Sequence, residues 1–430
     1  MGRLSRRALL AGAGALAGSA AAGGGARAGA GDAVGRPLAP WRPGGLDIHH
    51  IATGRGDSTL IIGPDGSSLM IDAGASDTAA PPALPPRPSA ARRPGEWIAR
   101  YARRRLRDTG GLGIDVFLAT HQHPDHVGDV GADTPLAPGG GYRLTGVSDV
   151  DRLVPITRLV DRGYPDYAAP SRSEARFQRN YEAFVRSRIA AGRPVERFRP
   201  GALNQLRRAA EAGTWPAFQI RNLAGNGEVW TGQGETTRRL FPPLAALPPA
   251  DAPEENLWSA ALRLSYGDFD YFAAGDLTST TFEGALPWRD LEGAAAQTAG
   301  PVEVAVSPHH GMFDATSAAA VRALQPRVWI ISSWHALHPA PSTLNRLFNG
   351  RLHQVEPRVF VTGLDPSTEA ASPWLIDRLA SRQGHIIVRV APGGGRFQIV
   401  VTDNADEADR VIAVFGPYPT LAGAAASARR

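Results

Sequence analysis

The chain has 430 residues, 43% hydrophobic and 20% charged, enough for a large core with insertions. All 46 basic residues are arginine and the formal net charge is +5, but Arg3, Arg6, Arg7 and Arg27 lie in a leader without acids, leaving 42 arginines against 41 acids. Charge therefore gives little support to a nucleic-acid partner. No cysteine is present, which excludes disulfides, thiolate ligands and a lipid anchor on an N-terminal Cys.

Residues 1–28 read as a twin-arginine signal peptide: Ser5-Arg6-Arg7-Ala8-Leu9-Leu10, then an Ala/Gly/Leu run, then small-x-small cleavage candidates at Ala20-Ala21-Ala22 and Ala26-Arg27-Ala28. This predicts a periplasmic or extracellular protein. The mature chain should have no membrane span, because no other segment approaches ~20 strongly apolar residues. Residues 29–45 are a Gly/Pro linker. Leu46 to Asp72 predicts three strands, broken by turns at Gly54-Arg55-Gly56-Asp57 and Pro64-Asp65-Gly66. The stretch 75–94 carries six prolines and predicts an extended loop. Glu96 to Arg107 predicts a helix with Trp97, Tyr101 and Leu106 inward. Ile114-Asp115-Val116-Phe117-Leu118-Ala119 is a short apolar run that predicts a buried strand.

That strand leads into Thr120-His121-Gln122-His123-Pro124-Asp125-His126, three imidazoles and a carboxylate in seven residues. Imidazole and carboxylate suit zinc, and less often manganese or iron. Pro124 predicts a loop here, since it stops a helix from running through. Residues 135–250 form an insertion. Within it Ser173 to Ala190 predicts a helix with Phe177, Tyr181, Phe184 and Val185 on one face. Its other face carries Arg172, Arg176, Arg179, Arg186 and Arg188, either an anion-binding surface or, as favoured, a solvated face. Leu257–Ser265 and Phe269–Ala274 predict a hairpin about Tyr266-Gly267-Asp268. Val302–Val306, Val328–Ser332, Val359–Thr362, His385–Val390 and Phe397–Val401 predict strands; Thr316–Leu324 and Ser342–Phe348 predict helices. Residues 406–430 read as a tail. Strands first, then alternating strands and helices, suggest two facing sheets with helices outside.

The HxHxDH segment after a strand resembles the metallo-β-lactamase superfamily of metal hydrolases. Further segments resemble it in the same order: Gly54-Arg55-Gly56-Asp57-Ser58, Leu69-Met70-Ile71-Asp72-Ala73-Gly74, Phe272-Ala273-Ala274-Gly275-Asp276 and Ser307-Pro308-His309-His310-Gly311. With Asn256-Leu257-Trp258-Ser259 they are most similar to the branch containing the soluble domain of the DNA-uptake protein ComEC. The resemblance covers roughly 45–405, interrupted by the insertion. It implies an αββα sandwich of two mixed sheets in one domain, residues 46–405, holding one or two zinc ions, with manganese as the alternative.

The implied ligands are His121 and His123 for one metal, and Asp125, His126 and one of His309/His310 for the other, with Asp276 bridging. The resemblance favours His310, since a histidine directly before glycine after a strand and a proline is the commoner superfamily pattern; neighbours leaving a strand point opposite ways, so both are not expected to bind one metal, and His309 would then support a ligand or donate a proton. Asp72 would orient a ligand histidine. Asp125 would also orient the water nucleophile, and His338 would contact substrate or serve the leaving group. Only one of His49 and His50 is expected to face inward. One departure stands out: no histidine lies between His126 and His309, so the first metal lacks a protein ligand that many binuclear members have. Water, substrate or an oxygen ligand such as Asn256 would fill the gap. The implied activity is hydrolysis by a metal-activated water, on phosphodiesters by the branch resemblance. The alternatives are a β-lactam or lactone hydrolase and an inactive, metal-stabilised binding protein. The partner is a small-molecule or phosphodiester substrate.

Overall fold

The structure, a computed structural model, describes residues 31–77, 82–168, 175–208, 215 and 217–421. The leader lies outside these residues. Among the described residues no helix is long and apolar enough to cross a membrane.

The described residues from Asp32 onward form one compact unit built on two mixed sheets. The first has nine strands in the order β17-β16-β15-β1-β2-β3-β4-β5-β6. These are β1 Leu46–His50, β2 Thr59–Ile62, β3 Ser68–Ile71, β4 Ile114–Ala119, β5 Ile156–Asp161, β6 Val195–Arg197, β15 His385–Val390, β16 Arg396–Thr402 and β17 Val411–Pro419. The second has eight strands, ordered β14-β13-β12-β11-β10-β7-β8-β9. They are β7 Phe218–Gly225, β8 Glu228–Trp230, β9 Thr237–Arg239, β10 Ala261–Tyr266, β11 Phe269–Ala273, β12 Val304–Val306, β13 Val328–Ile331 and β14 Arg358–Val361. Strands β3 to β6 run parallel, as do β11 to β14.

Both faces of each central strand are covered, which explains why these segments read as unbroken apolar runs. Side chains alternate between faces. In β4, Val116 and Leu118 pack between the sheets, against a layer that includes Leu264, Tyr271 and Ile330. Phe117 and Ala119 point the other way, onto the helices α1 (Pro94–Leu106), α3 (Val147–Leu153) and α4 (Arg176–Ala190). In β13, Val328 and Ile330 face the inter-sheet core, while Trp329 and Ile331 meet α5 (Leu291–Ala299), α6 (Ala318–Leu324) and α7 (Pro341–Leu347). Helices on both outer faces give the expected αββα sandwich, and each fully buried aliphatic side chain contributes on the order of 2 kcal/mol to it.

Several local expectations are corrected. Pro124 begins a short helix, α2 (Pro124–Val127), because its missing N–H costs nothing at the first helical position. Leu257 lies in a 3-10 turn, Glu255–Trp258, and the strand starts at Ala261. The buried face of α1 is Ile98, Ala99, Tyr101, Ala102 and Leu106; Trp97 is only half-buried. The insertion extends both sheets, through β5 and β6 in one and β7 to β9 in the other. The supposed tail contributes an edge strand, β17, paired to β16. The linker is tied in as well: Arg389 bonds Asp32, and the Arg36 carbonyl accepts from Val411 N. The arginine face of α4 divides. Arg188 is buried in an ion pair with Asp151 at 2.9 Å, while Arg176, Arg179 and Arg186 are exposed and Arg172 lies outside the described residues.

Candidate metal centre

The C-terminal ends of β3, β4, β11 and β12 converge on one buried cluster. Two groups there have ligand atoms within 4.8 Å of one another: Asp125, His126, Asp276 and His310, and His121, His123 and Asp276. Asp276 belongs to both. Its Oδ2 lies 3.2 Å from His126 Nε2, 3.4 Å from His310 Nε2 and 3.6 Å from His121 Nε2. Asp125 Oδ2 lies 2.8 Å from His310 Nε2.

Local backbone geometry builds this cluster. Asp72, just past β3, takes a left-handed φ of 58°, and its carboxylate accepts from Thr120 N at 2.8 Å and Thr120 Oγ1 at 2.7 Å. It also meets His126 Nδ1 at 2.8 Å, so it orients a histidine instead of joining either group. Gly56 and Gly74 are glycines because the Asp125 backbone passes against them. A Cβ at Gly56 would lie 2.3 Å from the Asp125 carbonyl oxygen, and one at Gly74 2.0 Å. The Gly54–Asp57 turn thereby carries Asp57 to His310 Nδ1, 3.1 Å away, a ring nitrogen also 3.0 Å from the Ser332 carbonyl.

The hydrogen bonds fix the imidazole tautomers. Thr120 Oγ1 donates to Asp72, so it accepts from His121 Nδ1, 3.1 Å away, and His121 Nε2 is left bare toward His123 Nδ1 at 3.1 Å. His126 and His310 present Nε2 inward in the same way. Both Nε2 atoms, and Asp276 Oδ1, are buried without a directed hydrogen bond. Lone pairs of imidazole and carboxylate crowded together, each backed by its own partner, leave a cation as the missing element. Zinc, manganese or a similar divalent ion fits this donor set. Without it, protons take its place. Burial alone would push His126 and His310 down, but the carboxylates around them, Asp276 foremost, hold both well above the ordinary histidine value. Burial and then the charge of His126 hold His121 well below it.

His309 and His310 do not leave an extended strand. Both adopt left-handed backbone, with φ of 47° and 53°, so the alternation argument does not apply to them. His310 joins the cluster and His309 does not. His309 lies between Asp314 Oδ1, 2.8 Å from Nδ1, and Asn256 Nδ2, 3.1 Å from Nε2. His338 is 2% exposed and stacks on His310 with ring centroids 4.6 Å apart. Its other face stacks on His335 at 3.7 Å. It belongs to neither ligand group, and its burial behind His310 argues against direct work at a leaving group. His49 and His50 are both buried, on opposite faces of β1, one against Tyr101 and the other against Tyr271.

Sequence reasoning missed the contacts of Asp57, although its place in a Gly-x-Gly-Asp turn was a signal. It also missed Gln122, whose N–H donates to Glu255 at 2.7 Å and whose Oε1 accepts from Gln178 of α4 at 2.7 Å. Glu255 in turn pairs with buried Arg162. The insertion thus buttresses the histidine loop.

Residues 52–132 match the family model described as the metallo-beta-lactamase superfamily. None of the curated proteins matches the chain. Among solved structures, one similar chain is a protein of Parabacteroides distasonis ATCC 8503 that carries a provisional designation as a metal-dependent hydrolase. It shares 13% identity over 73% of this chain and 92% of its own, with a TM-score of 0.33, a distant likeness. Residues 52–132 are thus similar to the metallo-beta-lactamase superfamily, and the two mixed sheets with outer helices are consistent with its fold.

Proposed function

We propose that the protein is an exported metal-dependent hydrolase, with Asp276 shared by two groups of residues that would each hold an ion, and phosphodiesters as the favoured substrates. The observation that carries this reading is the inward-facing set of His126 Nε2, His310 Nε2 and Asp276 Oδ1, buried without a directed hydrogen bond and crowded against the Asp125 carboxylate, whose Oδ2 lies 2.8 Å from His310 Nε2. One ion would be held by Asp125, His126, His310 and Asp276, the other by His121, His123 and Asp276. Such ions supply Lewis acidity, polarising a phosphoryl or carbonyl oxygen and acidifying water.

The chain's own residues do the rest. Asp72, Asp57 and Thr120 hold the imidazoles with the correct nitrogen inward. Asp125, 13% exposed at its side chain, is the cluster carboxylate nearest to solvent and is suited to orient a water. His338 acts through His310 as a positioning residue.

A cavity of about 380 Å³ is walled by Ala75 and Ser76, next to the histidine loop, and by Arg55, Arg92, Asp77 and Asp129. Mixed charge of that kind suits a small polar substrate better than a polyanion. The deciding experiment incubates mature protein, loaded with zinc or manganese, with model phosphodiester, β-lactam and lactone substrates. Phosphodiester turnover abolished by chelator and restored by metal is expected. Turnover of lactam or lactone alone would replace the substrate class, and a loaded protein inert to all three would favour the binding-protein reading. Export rests on Ser5-Arg6-Arg7; changing Arg6 and Arg7 to Lys should strand full-length protein in the cytoplasm, and normal export would refute the route.

A further inference from the structure

The group on the His121/His123 side offers three donors, whereas its neighbour offers four. The turn Glu255–Trp258 and the residue after it border this side, through Glu255 and Ser259. Glu255 accepts from Gln122 N, between the two histidines. Ser259 Oγ, just past the turn, accepts from Asp276 N at 3.2 Å. Asn256 Nδ2 lies 3.1 Å from His309 Nε2. Asn256 itself is 8% exposed, and its Oδ1 is buried without a hydrogen-bond partner.

The partners decide which end of this amide is free. His309 Nδ1 faces the Asp314 carboxylate and so carries a proton. Asn256 Nδ2 faces His309 Nε2, so Oδ1 is the end of the amide left as an open acceptor. A carboxylate behind a histidine is also how Asp72 backs His126 and Asp57 backs His310. Here the chain is one residue longer, Asp314 to His309 to Asn256. An unpartnered buried carbonyl is destabilising, and a cation beside it removes that cost.

We propose that the Asn256 carboxamide oxygen is the additional protein ligand on the His121/His123 side, oriented by His309 and Asp314. This rests on the metal reading above. It replaces an absent histidine with a neutral oxygen donor, so the two positions differ in hardness, and the Asn256 side accepts manganese more readily than an all-histidine site would.

The test is equilibrium dialysis against zinc, and separately manganese, with metal analysis of wild type and of Asn256→Ala, Asn256→Asp and His309→Ala; circular dichroism melts verify folding. Wild type should hold two equivalents. Asn256→Ala should keep one and weaken the other by roughly 10-fold or more, the scale seen when ligand shells are disturbed. Asn256→Asp, which preserves an oxygen, should keep both, and His309→Ala should weaken the same equivalent less than Asn256→Ala does. Unchanged binding of two equivalents by Asn256→Ala would overturn the proposal. So would a single equivalent in wild type, or Asn256→Asp losing metal as alanine does. The same holds for tighter binding by Asn256→Ala, the result expected if the NH₂ end faced the ions. Wild type that takes up no metal would instead defeat the metal reading itself.

Discussion

Two sets of buried histidines sit at strand ends or strands of this molecule and behave oppositely. His49 and His385 pack against Tyr101 of α1 and His50 against Tyr271 of β11, and at each of them burial dominates. It pushes His50 down to about 3 and His385 to about 4. His126 and His310 are equally buried but stand among Asp72, Asp125, Asp276 and Asp57, and are held well above the ordinary value. Both sets are histidine-rich, so histidine content does not separate them. What separates them is carboxylates aimed at the ring nitrogens from separate elements, an arrangement that is costly unless protons or a cation occupy the middle.

The sharpest way to break this contrast is to remove the shared carboxylate. Asp276→Ala should lose most bound metal and lower any hydrolytic activity by roughly 10²–10³-fold or more. His385→Asn, which keeps an acceptor for Ala52 N, should leave metal content at the wild-type level and only lower Tm. Equal metal loss in both variants would erase the distinction.

How much of this was legible depended on sequence distance. The HxHxDH segment was readable because its donors are contiguous, and Asp276 and His310 because each follows a strand in the order the resemblance implied. Asp57 was not, because its partner His310 lies 253 residues away. The stack of His335 and His338 on His310 and the alliance of Asn256 with His309 are likewise products of folding. The sandwich was readable from apolar runs, but β6, β8 and β9 were not. Each has three residues, and β6 and β9 have little apolar content, so only their neighbours in the sheet define them. The helix at Pro124 was misread because a proline that forbids a helix interior favours a helix start.

A smaller effect tests the orienting carboxylates. Asp72→Asn and Asp57→Asn keep shape but remove charge, and each should weaken metal binding about 10–100-fold by titration calorimetry. Loss no greater than in His385→Asn would mean that these acids serve only the fold.

Proton competition gives the next contrast. The carboxylates hold His126 and His310 above the ordinary histidine value and so favour their protonated forms in the metal-free protein; metal uptake should therefore release protons, and affinity should rise as pH rises. Calorimetry in buffers of different ionisation enthalpy reads the number released; none released would contradict the carboxylate argument.

The smallest effect concerns a buried acid outside the cluster. Glu292 in α5 accepts from Ser317 N, and burial raises it to about 8. Its folded value exceeds its unfolded one, so its penalty is absent below pH ~4.5 and grows as pH rises toward 8. Glu292→Gln should therefore raise Tm by a few degrees at pH 8 relative to wild type, and by less at pH 5. An equal shift at both pH values would show that the carboxyl is not the source.

The most direct test of the central claim is anomalous diffraction from crystals grown with zinc or manganese. The account predicts one peak within bonding distance of Asp125, His126, Asp276 and His310, and a second bounded by His121, His123 and Asp276. No peak at the cluster under saturating metal, or a peak only at residues outside it, would contradict the account.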